Sequence, residues 1–263
     1  MSNADAPIMI STVTLRVNDL PGVAAFYERI LGLHRLSGDA QALTLGTADT
    51  PLLHLQSDSA ARTAPVSEAG LFHTAFLLPT RGDLAAWLVN LRQAGVPLTG
   101  AADHGVSEAL YLDDPEGNGI EVYVDRPRDT WEVADGRVAM VNAPIDLDAL
   151  AAGAVAPWCG VPAGSVIGHV HLRVGDIGTA EAFYTQKIGF RRMAGLASAG
   201  FYAAGGYHHH LGVNVWQSAG AGQRDPGTTG LVELELSADP GALAPGHFTD
   251  PWGTEISVTP RAV

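Results

Sequence analysis

Two stretches of the chain repeat each other, and this duplication restricts the fold more than any other feature. Residues 12–33, TVTLRVNDLPGVAAFYERILGL, align without a gap on residues 169–190, HVHLRVGDIGTAEAFYTQKIGF. Identities fall at Val13/Val170, Leu15/Leu172, Arg16/Arg173, Val17/Val174, Asp19/Asp176, Ala25/Ala182, Phe26/Phe183, Tyr27/Tyr184 and Gly32/Gly189. Each copy opens as an alternating strand and then places Asp19 or Asp176 where a short acceptor can cap the free N–H groups of a helix. Val23, Phe26, Tyr27 and Ile30 follow at helical spacing, as core aromatics and aliphatics, and Gly32 stands where a helix often ends in a left-handed residue. Strand candidates at 42–46 and 51–56, separated by turn formers, complete a β-α-β-β-β-like unit.

Three further units can be read. The second opens at Leu71 with LFHTAFLL, a strand, and continues with an amphipathic helix from Asp83 to Ala94 that aligns Leu84, Trp87, Leu88 and Leu91 on one stripe. It closes with residues 103–125, DHGVSEALYLDDPEGNGIEVYVD: a polar loop, a strand, a tight turn and a last strand. Alternation turns Glu121, Tyr123 and Asp125 to the face opposite Ile120, Val122 and Val124. An acid so placed either faces water or holds a metal, since carboxylate oxygen serves first-row metals well. Residues 126–164, rich in Pro and Gly, form a connection with a short helix near 146–152. The third unit spans about 165–217 and includes FYAAGGYHHHLGVNVW, a Gly-Gly turn before a strand. The fourth runs from GLVELELS to DPWGTEISV and lacks a helix, so the second half is trimmed.

Composition narrows the function. With 46% hydrophobic residues the chain can bury a sizeable core, and a net charge of −13 repels a phosphate backbone, which sets nucleic acid aside as a partner. One cysteine, Cys159, permits neither an internal disulfide nor a thiolate cage. No basic leader and no long apolar run occur, so membranes are set aside too and a cytoplasmic protein is expected.

These motifs together resemble the vicinal-oxygen-chelate superfamily (glyoxalases, bleomycin-resistance proteins and extradiol dioxygenases), within it the tandem-domain proteins similar to catechol 2,3-dioxygenase. The resemblance rests on the paired LRVxD…AxFY openings, HTAFLLPTRGDLA, DHGVSEALYLDDPEGNGIEVY and GYHHHLGVNVW, and covers essentially the whole chain. The third motif is the most specific: His, a spacer, an apolar-Tyr pair, Asp-Pro-x-Gly, and Glu four residues after that Gly. The resemblance implies an α+β fold of two tandem domains, residues 8–126 and 165–260 joined by a linker at 127–164. Each would consist of paired βαβββ modules forming a cupped mixed sheet, the second trimmed.

It also implies metal ligands at equivalent places on first and last strands. In the first domain these are Thr12, His54, His73 and Glu121; Thr12 stands where the ring-cleaving pattern has His, and His54 would restore two imidazoles and a carboxylate. Without the resemblance His54 reads equally as a core or surface histidine. An unpaired His73 on an apolar strand would be costly to bury, so it requires a partner. His104 and Tyr111 match the pair implied to hydrogen-bond a bound catecholate and move protons. The second domain offers His169, Glu233 and Glu255, with Ser257 at the family position by count, a harder ligand set closer to that of lyases and isomerases. In the triple run, strand alternation would put His208 and His210 on one face and His209 on the other, as a polar rim.

The expected activity is therefore extradiol ring cleavage of a catechol-like substrate with Fe(II), or with another divalent metal such as Zn, Ni or Mn. His54, His73 and Glu121 would be ligands, with His104 and Tyr111 assisting. Two alternatives stay open: a glyoxalase-like lyase or isomerase, and a metal-free binding protein with a cavity lined around Trp216, Tyr111 or Trp252. A small aromatic or oxygenated substrate is the expected partner, and a homodimer is allowed.

Overall fold

Four strand-rich units follow one another as the repeat predicts, but they pair in nested order, first with fourth and second with third. The computed structural model describes residues 5–261. The first unit comprises β1 (Ile8–Val17), α1 (Leu20–Phe26), β2 (His34–Gly38), β3 (Ala42–Gly46) and β4 (Pro51–Ser57); the second comprises β5 (Gly70–Leu77), α2 (Arg81–Gln93), β6 (Gly100–Asp103), β7 (Ser107–Asp113) and β8 (Gly119–Asp125). The connection carries a small hairpin, β9 (Val133–Ala134) and β10 (Arg137–Val138), and the helix α3 (Leu147–Ala151). The third unit is β11 (Val166–Arg173), α4 (Ile177–Gln186), β12 (Arg191–Leu196), β13 (Ala199–Ala203) and β14 (Leu211–Asn214). The fourth, β15 (Gly230–Ala238), β16 (Gly246–Thr249) and β17 (Glu255–Pro260), has no helix, as its sequence indicates.

One curled sheet has the order β16-β17-β15-β1-β4-β3-β2 and the other β12-β13-β14-β11-β5-β8-β7-β6. In each, a first strand pairs antiparallel with another unit's first strand, β1 with β15 and β5 with β11, and parallel with its own unit's last strand. The strands of residues 8–126 are thus divided between both sheets, and Thr12 and His54 lie on a different sheet from His73 and Glu121. Identical βαβββ patterns state which strands are first strands; they do not state which first strands will meet. Strand β2, whose HRLSG carries no alternation, is a further element that the residues conceal.

Local chemistry at the element ends follows the sequence. Asp19 accepts a bond from Gly22 N at 3.1 Å and Asp176 from Thr179 N at 2.7 Å, each capping its helix. Thr80 and Asp83 form a capping box on α2. After α1 the chain tightens into a π turn over Tyr27–Leu31 and leaves it at Gly32, φ 69°, the left-handed conformation that favours glycine. On β8, Ile120, Val122 and Val124 join the main core while Tyr123 packs with Ala75 and Ala109 on the other face, as alternation requires. That core runs without interruption from β1 to β17 and joins both sheets. No helix among the described residues is long and apolar enough to cross a membrane.

The repeated helix tyrosines have a role that spacing does not reveal. Asp114 accepts from the backbone N–H of Glu116 and Asn118 at 2.8 and 2.9 Å, closing the Asp-Pro-x-Gly turn, and Tyr27 O–H reaches it at 3.4 Å. Asp250 closes the fourth unit's turn the same way, from Trp252 N and Thr254 N, and Tyr184 O–H donates to it at 2.8 Å. Each repeated tyrosine therefore ties its helix to the turn of a neighbouring unit. Tyr184→Phe leaves the buried Asp250 short of a donor and should cost ~1–2 kcal/mol in urea unfolding; a change within about 0.3 kcal/mol would refute the tie, taking additive error as the floor.

Candidate metal centre

His73 on β5, Glu121 on β8 and His169 on β11 come from three adjacent strands, with β5 in the middle. Ala75 on β5 is the register partner of both Glu121 and His169. Its methyl fills little space, so the longer side chains on either side lean over it. His73, two residues earlier, shares that face. Glu121 Oε2 lies 3.0 Å from His73 Nε2 and 3.1 Å from His169 Nε2, and one ligand atom from each residue falls within 4.8 Å of the others. All three side chains are buried.

Charge and burial suit a cation here. Burial by itself would raise the Glu121 carboxyl, but His169 and then His73 outweigh it and hold the carboxyl well below the ordinary range. Burial pulls His169 down to about 4 despite Glu121, so its ring is neutral at neutral pH. His73 Nε2 is near the carboxylate yet outside hydrogen-bond geometry, a buried nitrogen without a hydrogen-bond partner among the described residues. An orphaned nitrogen beside a buried carboxylate and a second imidazole is the donor set of a two-His, one-carboxylate site, and these residues fit a first-row divalent ion.

The three residues sit in a cavity of about 790 Å³. His104 and Tyr111 line it as well, with His104 Nε2 2.8 Å from Tyr111 Oη. The Val141 carbonyl, 2.9 Å from His104 Nδ1, can only accept, so Nδ1 donates and Nε2 receives the tyrosine O–H. Burial, then the Glu121 charge, pushes the Tyr111 phenol well above its usual value and keeps it protonated.

The connecting segment is part of this site. Residues 137–142 line the cavity, Ala143 bridges to Asp103, and Val138 and Trp131 pack with Val106, Met193 and Tyr207. What reads as a linker covers one wall. Opposite, the Phe72 ring lies 5.3 Å from His73 and 5.1 Å from His171, and the half-exposed Trp216 lies 5.3 Å from Phe72, an aromatic wall running from the histidines to solvent.

The other expected ligands stand elsewhere. His54 lines a separate cavity of about 410 Å³ on the first sheet, with Thr12, Thr14, Glu233 and Glu235. There Thr44 Oγ1 is 3.0 Å from His54 Nδ1, and Thr12 Oγ1 donates to Glu235 Oε2 at 3.0 Å. Glu255 is exposed and accepts from Thr249 Oγ1 at 3.1 Å. Among the described residues the His73, Glu121 and His169 group is the one set of three with metal-ligand spacing. Neither expected trio, His54/His73/Glu121 or His169/Glu233/Glu255, is assembled, because each draws on both sheets. Trp252 is buried, its indole N–H on Ala221 O at 3.0 Å, away from the large cavity.

Two cavity residues, His171 and His209, stand outside the expected ligand and proton-moving sets. The first was legible: it is two residues after His169 and so shares its face. Gly212 stands opposite His171 on β14, where an added Cβ would come within 2.9 Å of the imidazole ring. The triple histidine run is not on a strand, since β14 begins at Leu211. Gly205 and Gly206, φ 62° and 69°, turn the chain tightly, and Arg128 holds both carbonyls, so alternation never starts. His208 and His209 therefore face each other, Nδ1 to Nδ1 at 2.8 Å, while His210 stacks on Phe190. All three are buried rather than forming a rim.

Paired βαβββ units in curled mixed sheets, with a histidine and carboxylate group in the cup of one, define a protein of the vicinal-oxygen-chelate class. Residues 9–122 match the family model for the Glyoxalase/Bleomycin resistance protein/Dioxygenase superfamily, and the chain belongs to that superfamily. It is 39% identical to catechol-2,3-dioxygenase of Bacillus subtilis (strain 168) over 228 residues, covering 84% of this chain and 80% of that protein. Biphenyl-2,3-diol 1,2-dioxygenase 3 of Rhodococcus globerulus is 32% identical over 115 residues, 42% of this chain and 60% of that protein. The fold of glyoxalase I from Zea mays matches with TM-score 0.54 at 15% identity, covering 97% of this chain and 93% of that one.

Proposed function

We propose that this protein is an extradiol-type ring-cleaving dioxygenase acting on a catechol-like small aromatic, with Fe(II) held by His73, Glu121 and His169. The convergence of these three side chains in one large cavity carries the reading. Similarity to catechol-2,3-dioxygenase over most of the chain supports it. The metal, when bound, would supply the Lewis-acid and redox chemistry that dioxygen requires. The chain's own residues do the rest. Tyr111, with its proton engaged by His104 Nε2, turns its oxygen lone pairs to a substrate hydroxyl, and the Val141 carbonyl fixes the imidazole that orients it. His209, its ring 4.1 Å from that of His169, offers a second polar contact on the other side of the cup. Phe72 and Trp216 give the aromatic ring a flat surface, and the 137–142 segment keeps bulk water from the wall it covers.

Anaerobic reconstitution with Fe(II), followed by oxygen uptake and product absorbance with catechol, tests the reading. One iron per chain with oxygen-dependent ring fission is expected. Protein that holds no stoichiometric iron and consumes no oxygen with any catechol would end it, and turnover with Zn or Ni but no oxygen uptake would favour a glyoxalase-like reaction. Trp216→Ala should raise KM for aryl-substituted catechols about fivefold, the value of one lost aromatic contact, and leave catechol itself unchanged. Equal effects on both substrates would remove Trp216 from the binding wall.

A further inference from the structure

Two of the three consecutive histidines, His208 and His209, belong to a chain of hydrogen bonds that runs from Asp125 to a ring beside His169. We infer that Asp125 and His208 are positioning residues that fix the tautomer of His209 and so present its bare Nε2 to the cavity. The functional weight of that nitrogen rests on the dioxygenase reading above. Asp125 Oδ1 is 2.9 Å from His208 Nε2 and also accepts the Tyr207 O–H at 3.0 Å. Tyr207 Oη in turn lies 2.7 Å from Tyr123 Oη; because Tyr207 spends its proton on Asp125, Tyr123 donates to it. Asp125 is thus the acceptor at which this network ends, and a carboxylate oxygen has no proton to give, so His208 Nε2 carries one.

In a neutral imidazole the other nitrogen is then a lone pair. His208 Nδ1 stands 2.8 Å from His209 Nδ1, and one of the two must donate, so the proton is on His209 Nδ1. His209 Nε2 is left as an acceptor without a protein partner among the described residues, on a ring that lines the cavity. A bare nitrogen there accepts a hydrogen bond from a substrate hydroxyl; an N–H in its place would oppose that hydroxyl's proton. Tautomers set through a second hydrogen bond are a general way of orienting imidazoles at reactive centres. The buried ring of His208 is what makes the setting stiff, since it has no water with which to exchange the bond.

Long-range ¹H–¹⁵N correlation NMR of the metal-free, full-length protein labelled in histidine separates the two tautomers, and His209→Gln assigns the signal. The Nδ1–H form is expected for His209. In Asp125→Leu the acceptor is gone, the His208 proton moves to Nδ1, and His209 becomes Nε2–H; Asp125→Asn keeps an oxygen acceptor and retains the native tautomer. With iron and catechol, Asp125→Leu should lower kcat about tenfold or more at unchanged iron content and KM, and Asp125→Asn should recover most of it. An Nε2–H tautomer in the native protein, or an unchanged tautomer in Asp125→Leu, overturns the inference. If Asp125→Leu does not fold, His208→Phe, which removes the acceptor for His209 Nδ1, decides it: a pure Nδ1–H signal in that variant is the overturning result and a mixture the supporting one. The NMR readout needs neither iron nor substrate, so a native relay in a protein that cleaves no catechol would sink the dioxygenase reading alone.

Discussion

Glu121→Ala is expected to lose iron by a factor of at least about 100 in affinity, and His169→Ala to do the same, whereas His54→Ala and Glu255→Ala bind iron as the native protein does. The asymmetry follows from the sheets. Glu121 Oε2 is the atom both Nε2 nitrogens approach, at 3.0 and 3.1 Å, so its removal takes away the only anionic donor of the group. His54 is on the other sheet, bonded to Thr44, and Glu255 is exposed beside Thr249. Iron content by inductively coupled plasma spectrometry after anaerobic loading and desalting decides the matter. Retention in Glu121→Ala, or loss in His54→Ala, would show that the cup holding His73, Glu121 and His169 is not where the metal binds.

Stability of the metal-free protein should fall steeply as pH drops from about 6.5 to 4.5, the unfolded histidine value marking the upper end. Burial drives His210 down to about 3 and His169 to about 4, and it lowers His171 and His209 well below their ordinary value. In that window these groups take up protons when unfolded but not when folded, so acid favours unfolding. His210 alone contributes ~2 kcal/mol over two pH units, because its native ring stays neutral to accept the Ala204 N–H at 3.3 Å. Glu121 acts at lower pH: its depressed carboxyl stabilises the fold above the unfolded carboxyl value, and that contribution disappears only as pH falls through its own native value. Urea unfolding at a series of pH values, with more than one proton taken up per molecule unfolded near pH 5, is the expected outcome; a flat profile would mean the histidines are hydrated.

Part of this candidate site is legible in the sequence. Glu121, His73, His104 and Tyr111 sit in local patterns, a strand, a turn and a strand, whose alternation and turn chemistry fix their face, and the cavity holds all four. The caps at Asp19 and Asp176 and the missing helix of the fourth unit are local for the same reason. What the residues conceal is long-range. That β5 pairs with β11 depends on which first strands meet, and so it is His169 rather than His54 that stands beside His73 and Glu121. His209 is placed by a two-glycine turn and an arginine bonded to its carbonyls, neither of which has a period to detect. The segment over the cavity looks like a linker because its contacts are made by scattered residues such as Trp131, Val138 and Val141.

The nested pairing also bears on how the chain is made. Every strand of the sheet that carries His73, Glu121 and His169 lies between Gly70 at one end and Asn214 at the other. That sheet can close once residue 214 has left the ribosome, while β1, synthesised first, must wait for β15 and pairs Ile8 with Ala238. Contacts of such sequence separation form slowly, since the loop they close is nearly the whole chain. The half that carries His73, Glu121 and His169 can thus close first, and until β15 is made the β1 edge is open to aggregation in the nascent protein.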